Sequence, residues 1–341
     1  MNFEQAIPHY TENRAEVGES NTQIIREKEG KLQFTSAWVN LNGGCNLRCE
    51  GCFTHMDKEQ AEERLTFEQI KEVIDFVKSR SGESIAFAGQ GEPLMDKDFW
   101  RTLDYIREQG LRSIVFTNGT LIRDKEEAEK LLVSGSVIAK RNTLNDELQD
   151  KLVGVDGASR MMQRGLNVLL AARQELDQKG AKHDMLGIDT YIIRDNLNDL
   201  PDLLRYCRKN DIVPYFEAFI ELGQSKEATE KLSLTAEELT KIFLELQKID
   251  KEEFGIKTPV IPNTRTYGQP VCNRSTHMFS VRVNGEIYPC VSSTGNPLGT
   301  IYDDEGTRES LERIFDPKNE KLKGMPCAGC SKKVQAKYCK R

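Results

Sequence analysis

From residue 37 to about residue 220, short apolar runs rich in β-branched residues alternate with amphipathic stretches of helical period. The strand candidates are AWVNLN (37–42), SIAFAG (84–89), RSIVFTNG (112–119), SVIAK (136–140), MLGIDTYII (185–193) and IVPYFEAFI (212–220). Between them lie patterns such as TFEQIKEVIDFVKSR, where Thr66 is placed to cap a helix and Phe67, Ile70, Val73, Ile74 and Val77 fall on one face. Six strands with helical crossovers predict an α/β fold with a parallel sheet, either an incomplete barrel or a doubly wound sheet. Residues 233–254 predict one more helix, after which GIKTPVIPNTRTYGQPVCNRS, rich in Pro, Gly and Thr, reads as a linker or a crossing loop. This places a boundary near residue 256, with an N-terminal extension at 1–34, an α/β region at 35–255 and a distinct region at 256–341.

Composition narrows the function classes. The 341 residues are 30% charged with a net charge of -6, and Lys and Arg are scattered rather than gathered in a tract, so there is no electrostatic case for nucleic acid. No run of 18 apolar residues offers a membrane span, and the N-terminus MNFEQAIPHYTENRAE lacks a basic region followed by an apolar one, so a cytoplasmic protein is expected. In a reducing compartment nine clustered cysteines, an odd count, read as metal ligands or redox groups rather than a disulfide frame.

Cys45, Cys49 and Cys52 form a C-x3-C-x2-C run directly after the first predicted strand, where an α/β barrel places its chemistry. A structural zinc ion or an electron-transfer cluster takes four ligands, and His55 is the only nearby substitute for a fourth. Three thiolates on a four-iron cluster leave one iron open to a small molecule; zinc is the alternative reading of the same run.

The run resembles the signature of the radical S-adenosylmethionine (radical SAM) superfamily, departing from it at Gly51, where members usually carry an aromatic residue. The resemblance implies a 4Fe-4S cluster on Cys45, Cys49 and Cys52, S-adenosylmethionine (SAM) on the open iron, and a 5'-deoxyadenosyl radical that abstracts a hydrogen atom. It also implies a partial (β/α)6 TIM-type barrel. Gln90-Gly91-Glu92-Pro93 at the end of the second strand is similar to the family's Gly-Gly-Glu-Pro turn, with Glu92 facing the SAM ammonium, and Asn118 is similar to the polar residue near the ribose. Lys140, with Asn142 nearby, and Arg194 are candidates for the SAM carboxylate, Arg194 offering the bidentate fork. Each turn read alone is a plain turn, and Arg194 read alone is a helix-entry cap. Asp189 and Tyr191 alternate onto one face of the fifth strand, and Tyr215 and Glu217 onto one face of the sixth, as substrate contacts or as a satisfied polar layer.

Five of the cysteines lie beyond residue 256. FSVRVNGEIYPC predicts a hairpin turning at Asn284-Gly285, and with the C-x2-C knuckle at 327–330 it resembles the twitch region, a shortened relative of the SPASM domain. That resemblance implies a second, auxiliary 4Fe-4S cluster on Cys272, Cys290, Cys327 and Cys330, a zinc ribbon being the alternative. Cys339 is left as a candidate hydrogen-atom donor, an exchangeable ligand or a tail residue. Cys207 shares a helical face with Leu200, Leu203 and Leu204 and reads as a buried thiol.

The expected function is hydrogen abstraction from a small polar substrate such as a sugar, aminocyclitol or nucleoside. The outcome would be oxidation, epimerisation or decarboxylation, with electrons from a flavodoxin or ferredoxin type reductant. Twitch-bearing relatives include aminocyclitol dehydrogenases and a cyclase with a Gly-Gly tail, whereas this chain ends in YCKR. Only 44 residues precede Cys45, less than a peptide-recognition domain needs, so a peptide maturase is the alternative, as is a two-cluster electron-transfer protein.

Overall fold

A computed structural model describes residues 27–28, 31–52, 54, 62–219, 226–256, 278–291, 293, 296–302 and 306–322. In chain order its strands are β1 (Ser36–Val39), β2 (Ser84–Phe87), β3 (Arg112–Thr117), β4 (Gly135–Lys140), β5 (Leu186–Ile192), β6 (Val213–Ala218), β7 (Met278–Val281), β8 (Glu286–Tyr288) and β9 (Gly299–Thr300), after a short ribbon of Glu27–Lys28 with Lys31–Leu32. The helices are α1 (Phe67–Ser79), α2 (Phe99–Glu108), α3 (Lys125–Ser134), α4 (Asp146–Val153), α5 (Ala158–Gln178), α6 (Leu200–Lys209), α7 (Lys226–Leu232), α8 (Ala236–Glu252) and α9 (Thr307–Ile314). All six predicted strands form, each within a few residues of the expected bounds.

The chain divides into two compact units. The first takes its described residues from 1–44, 56–115 and 270–335. Its strands lie in the order β9-β8-β7-β1-β2-β3. β1, β2 and β3 are parallel, as their helical crossovers require. The predicted hairpin is present: Gly285 turns at φ 74° and β7 pairs antiparallel with β8. Strand β7 also pairs in parallel with β1, Ser36 opposite Met278 and Val39 opposite Val281. Burial explains why it stays there. Phe34, Phe76 of α1, Phe279 of β7 and Phe315 after α9 form one aromatic core, with Phe34 and Phe315 centroids 4.7 Å apart and Phe279 and Phe315 4.8 Å apart. α1 starts where expected, since Thr66 Oγ1 accepts from the Gln69 N–H and the Gln69 side chain accepts from the Thr66 N–H. Its five predicted face residues are all buried.

The second unit takes its described residues from 45–55, 116–269 and 336–341. Strands β4, β5 and β6 run parallel in that order. The register sets Lys140 opposite Asp189, Asp189 opposite Tyr215, and Tyr191 opposite Glu217. On the other side of the sheet, Ile192 and Phe216 pack with Leu200, Leu203 and Leu204 of α6 and with Leu239, Ile242, Phe243, Leu246 and Ile249 of α8. Cys207 is fully buried on the same helix α6, and burial pushes its thiol up to about 12, which leaves it an inert apolar group. No helix among the described residues is long and apolar enough to cross a membrane.

Candidate active site

The cysteine loop belongs to the second unit and is held by the end of a helix. The last carbonyls of any α-helix lack intrahelical partners. At the end of α4 the loop satisfies them, because Arg48 N–H donates to Val153 O at 2.8 Å and Glu50 N–H donates to Leu152 O at 3.0 Å. The helix stops at Gly154 in the left-handed region (φ 68°), where a Cβ would fall 2.5 Å from Arg48 O. Only glycine lets the loop approach so closely. A turn from Cys52 N–H to Cys49 O, 3.2 Å, then draws the second and third cysteines together.

Cys45, Cys49 and Cys52 stand outside any disulfide, each half-buried, and Cys45 and Cys49 pack against an apolar patch of Leu47, Val153, Ala158 and Met162. Leu47 N–H donates to Cys45 Sγ at 3.4 Å, and the Asn118 amide approaches the same sulfur at 3.9 Å. Asn118 Nδ2 also donates to Asn46 Oδ1 (2.8 Å), and Asn46 Nδ2 donates to Thr120 Oγ1 (2.8 Å), so residues 118–120 and the cysteine loop share one polar network within the second unit. Burial above all, then the charge of Cys52, pushes the Cys49 thiol up to about 12, with Lys140 pulling the other way and Cys45 adding to the rise. An isolated thiol of this kind stays protonated; a bound metal centre deprotonates it outright.

Beside the loop stands the polar face of β4, β5 and β6. Lys140 Nζ donates to Asp189 Oδ2 at 2.7 Å and lies 4.1 Å from the centroid of the Tyr191 ring. Tyr215 and Glu217 are half-buried opposite Asp189 and Tyr191, and Tyr215 makes an edge contact with Phe116, 5.8 Å between centroids. The strand alternation therefore brings the four predicted substrate residues and Lys140 onto one face. Three side chains there carry buried polar atoms without a partner among the described residues: Asp189 Oδ1, the Tyr191 hydroxyl, and both amide atoms of Asn142 two residues beyond β4. The departure at Gly51 has a local cause. A Cβ at that position would lie 3.1 Å from Tyr191 Cε2 and Cζ and 3.3 Å from Phe219 Cε2, so aromatic rings from elsewhere in the chain occupy the space.

Arg194 sits elsewhere. It is half-exposed, its guanidinium donates to Glu238 Oε1 at 2.6 Å and to Ser233 O at 3.0 Å, and it holds the Glu238 carboxyl down at about 2. The structure thus ties Arg194 to the capped start of α8, whereas Lys140 stands near enough to the cysteine loop to pull on the Cys49 thiol.

In the first unit, Gln90-Gly91-Glu92-Pro93 forms a tight turn after β2. Gly91 has φ 72°, and a Cβ would fall 2.2 Å from Asn42 O and 2.8 Å from Gly44 O, the carbonyl of the residue before Cys45. Glu92 N–H donates to Gly44 O at 2.7 Å, Asn42 Nδ2 donates to Glu92 O at 3.1 Å, and the buried Glu92 carboxylate accepts the Leu94 N–H at 3.2 Å. Cys290 is buried just after β8. Cys272, Cys327, Cys330 and Cys339 lie outside the described residues, as does His55.

Comparison with known proteins decides the family. Residues 39–167, which span the triad, both turns and Lys140, match the Radical SAM superfamily. The matched region is a radical SAM domain. Fe-coproporphyrin III synthase of Methanosarcina barkeri is 34% identical over 199 residues, covering 57% of this chain and 47% of that protein. The AdoMet-dependent heme synthase of the same organism is 27% identical over 337 residues, covering 88% of this chain and 91% of that protein. Among solved structures, Streptococcus suis SuiB bound to S-adenosylmethionine superposes with a TM-score of 0.64 at 16% identity over 91% of this chain and 73% of that one. At that identity the likeness is one of fold, the partial α/β barrel that the family resemblance implied and one of the two arrangements the strand order left open.

The radical SAM family implies a 4Fe-4S cluster and SAM, and the second unit fits them. Its donor set is three thiols in one loop. A four-iron cluster takes one thiolate per iron. The unpartnered buried atoms of Asn142, Asp189 and Tyr191 give polar groups for a bound molecule to satisfy. Sequence reasoning missed what Gly154 and Gly51 do. Gly154 in KLVGV carries a helix C-cap signal, which says where α4 ends but not what packs there.

Proposed function

We propose that this protein is a radical SAM enzyme that cleaves SAM reductively and removes a hydrogen atom from a small polar substrate. The observation carrying the proposal is the loop of three half-buried thiols pinned to the end of α4, with Lys140 beside it. When bound, a four-iron cluster supplies the electron that breaks the sulfonium of SAM. Cys45, Cys49 and Cys52 hold it and Asn118 supports Cys45. Lys140 exchanges part of its pairing with Asp189 for the SAM carboxylate, and by resemblance Gln90, Gly91 and Glu92 serve the SAM ammonium, with Glu92 accepting its hydrogen bonds. Asp189, Tyr215 and Glu217 orient the substrate, with the Tyr191 ring between them on the same face, and the apolar patch around Leu47 and Met162 keeps water from the loop.

Sugars, aminocyclitols and nucleosides are the first substrate class, because a face with two carboxylates and two phenols offers acceptors for hydroxyl and amino groups. A tetrapyrrole is the second, favoured by the heme synthase match over most of both chains. Cys290, with Cys272, Cys327 and Cys330, is proposed to hold an auxiliary cluster that takes an electron from the substrate radical. Electrons for the SAM-binding cluster would come from a flavodoxin or ferredoxin type donor.

The test is iron and sulfide content after anaerobic reconstitution, followed by a 5'-deoxyadenosine assay with dithionite. About eight irons per chain, as two four-iron clusters give, with 5'-deoxyadenosine formed, supports both clusters; iron without 5'-deoxyadenosine removes the enzyme reading. A finer prediction concerns Lys140. Lys140→Met should raise the Kd for SAM about 10-fold or more, since a hydrogen bond to a charged group contributes about 1.5–3 kcal/mol. Equilibrium dialysis of the reconstituted protein measures it, and an unchanged Kd would move the carboxylate contact elsewhere.

A further inference from the structure

The hydroxyl of Tyr191 is the least explained polar atom beside the cysteine loop. The residue is 9% exposed, packed with Leu152, Ile193 and Leu232, and its O–H has no partner among the described residues. A buried donor left unpaired costs about 1–3 kcal/mol, so an acceptor other than the described residues is called for. The contact with Gly51 says where that acceptor lies. Cζ, the carbon bearing the hydroxyl, is one of the two ring atoms that a Cβ on Gly51 would touch at 3.1 Å, and Gly51 stands between Cys49 and Cys52 in the loop. The phenol end of Tyr191 is therefore delivered onto the thiol-bearing turn.

The electrostatics keep it a donor. Burial above all pushes the phenol well above its ordinary value, so it remains protonated. Lys140 lies over the ring face at 4.1 Å, anchored by Asp189 Oδ2 at 2.7 Å, and a cation there draws electron density from the ring and strengthens the O–H as a donor.

We propose that Tyr191 sets the reduction potential of the cluster held by Cys45, Cys49 and Cys52, by donating its hydrogen bond to a sulfur of that cluster. This rests on the radical SAM reading above. A hydrogen bond to a thiolate or sulfide stabilises the reduced cluster, which carries the extra negative charge, and so raises the potential. Tyr191 is thus a positioning residue that acts through the cluster, holding the couple within reach of the reductant. Gly51 is its counterpart, the one residue type that lets the ring come close enough.

The experiment is an EPR-monitored redox titration of the anaerobically reconstituted full chain without SAM, comparing wild type, Tyr191→Phe, Gly51→Ala and Tyr206→Phe. Tyr191→Phe should shift the midpoint to more negative potential at unchanged iron content. Gly51→Ala should shift it the same way by pushing the ring off the loop, and Tyr206→Phe, on α6 away from the loop, should leave it at the wild-type value. A Tyr191→Phe midpoint equal to wild type overturns the proposal, as does an equal shift in Tyr206→Phe. A shift that appears only once SAM is added also overturns it, because the hydroxyl then contacts SAM and not sulfur. A wild-type chain that takes up no reducible cluster sinks the radical SAM reading itself, a result plainly different from an unshifted midpoint.

Discussion

Cys49→Ala is expected to bring 5'-deoxyadenosine formation down to background and to strip the loop of its iron. The thiol is the middle member of the triad, its value pushed up to about 12 by burial, by Cys52 and by Cys45 against the pull of Lys140. Such a group contributes to iron binding only because the metal displaces its proton, and the two remaining thiols cannot make up the lost ligand. Cys207→Ala is the matching control. That thiol is also pushed up to about 12, but by burial in the apolar face of α6, and its loss should lower stability by about 1 kcal/mol while leaving iron and turnover intact. Iron content and 5'-deoxyadenosine per chain, measured on both variants, separate the two roles. A Cys49→Ala protein with wild-type turnover would remove the loop from the chemistry.

The contrast between those cysteines is legible in the amino-acid sequence, because spacing separates a C-x3-C-x2-C loop from a lone cysteine on an apolar helical stripe. Other local signals are equally direct. The Thr66 cap, the buried face of α1, the Asn284-Gly285 hairpin and the six strands all follow from periodicity and turn chemistry, which act over a few residues. What depends on distant partners is invisible at that level. β7 finds its parallel partner in β1, some 240 residues earlier, through backbone groups that every residue carries and a core of phenylalanines that no spacing links. Arg194 pairs with Glu238 rather than remaining available at a strand end, a choice made by the entry geometry of α8. The polar face is half legible. Alternation puts Asp189, Tyr191, Tyr215 and Glu217 on one side, but only the register sets Lys140 against Asp189 and lays the Tyr191 ring on Gly51.

Gly154→Ala should damage the cluster site without touching a ligand, and a second glycine makes the effect separable from backbone strain. Gly154 (φ 68°) and Gly157 (φ 77°) both lie in the left-handed region, where an alanine costs about 1–2 kcal/mol. The two differ in what a Cβ would meet. At Gly157 it finds only Arg160 Nη2 at 3.8 Å, whereas at Gly154 it falls 2.5 Å from Arg48 O and 3.0 Å from Arg48 Cβ. Backbone at that distance has to move, and Arg48 lies between Cys45 and Cys49 with its own N–H tied to Val153 O. Both variants should therefore melt at lower temperature, by a few degrees at about 2–4 °C per kcal/mol for a large domain. Gly154→Ala alone should weaken cluster retention, about 10- to 100-fold, as expected when the support behind a metal ligand set is displaced. Iron retained during timed chelator challenge gives that comparison directly. Equal retention in the two variants would mean that the end of α4 carries the loop without positioning its thiols, and a loss confined to Gly154→Ala would place the geometry of the cluster site in a helix cap.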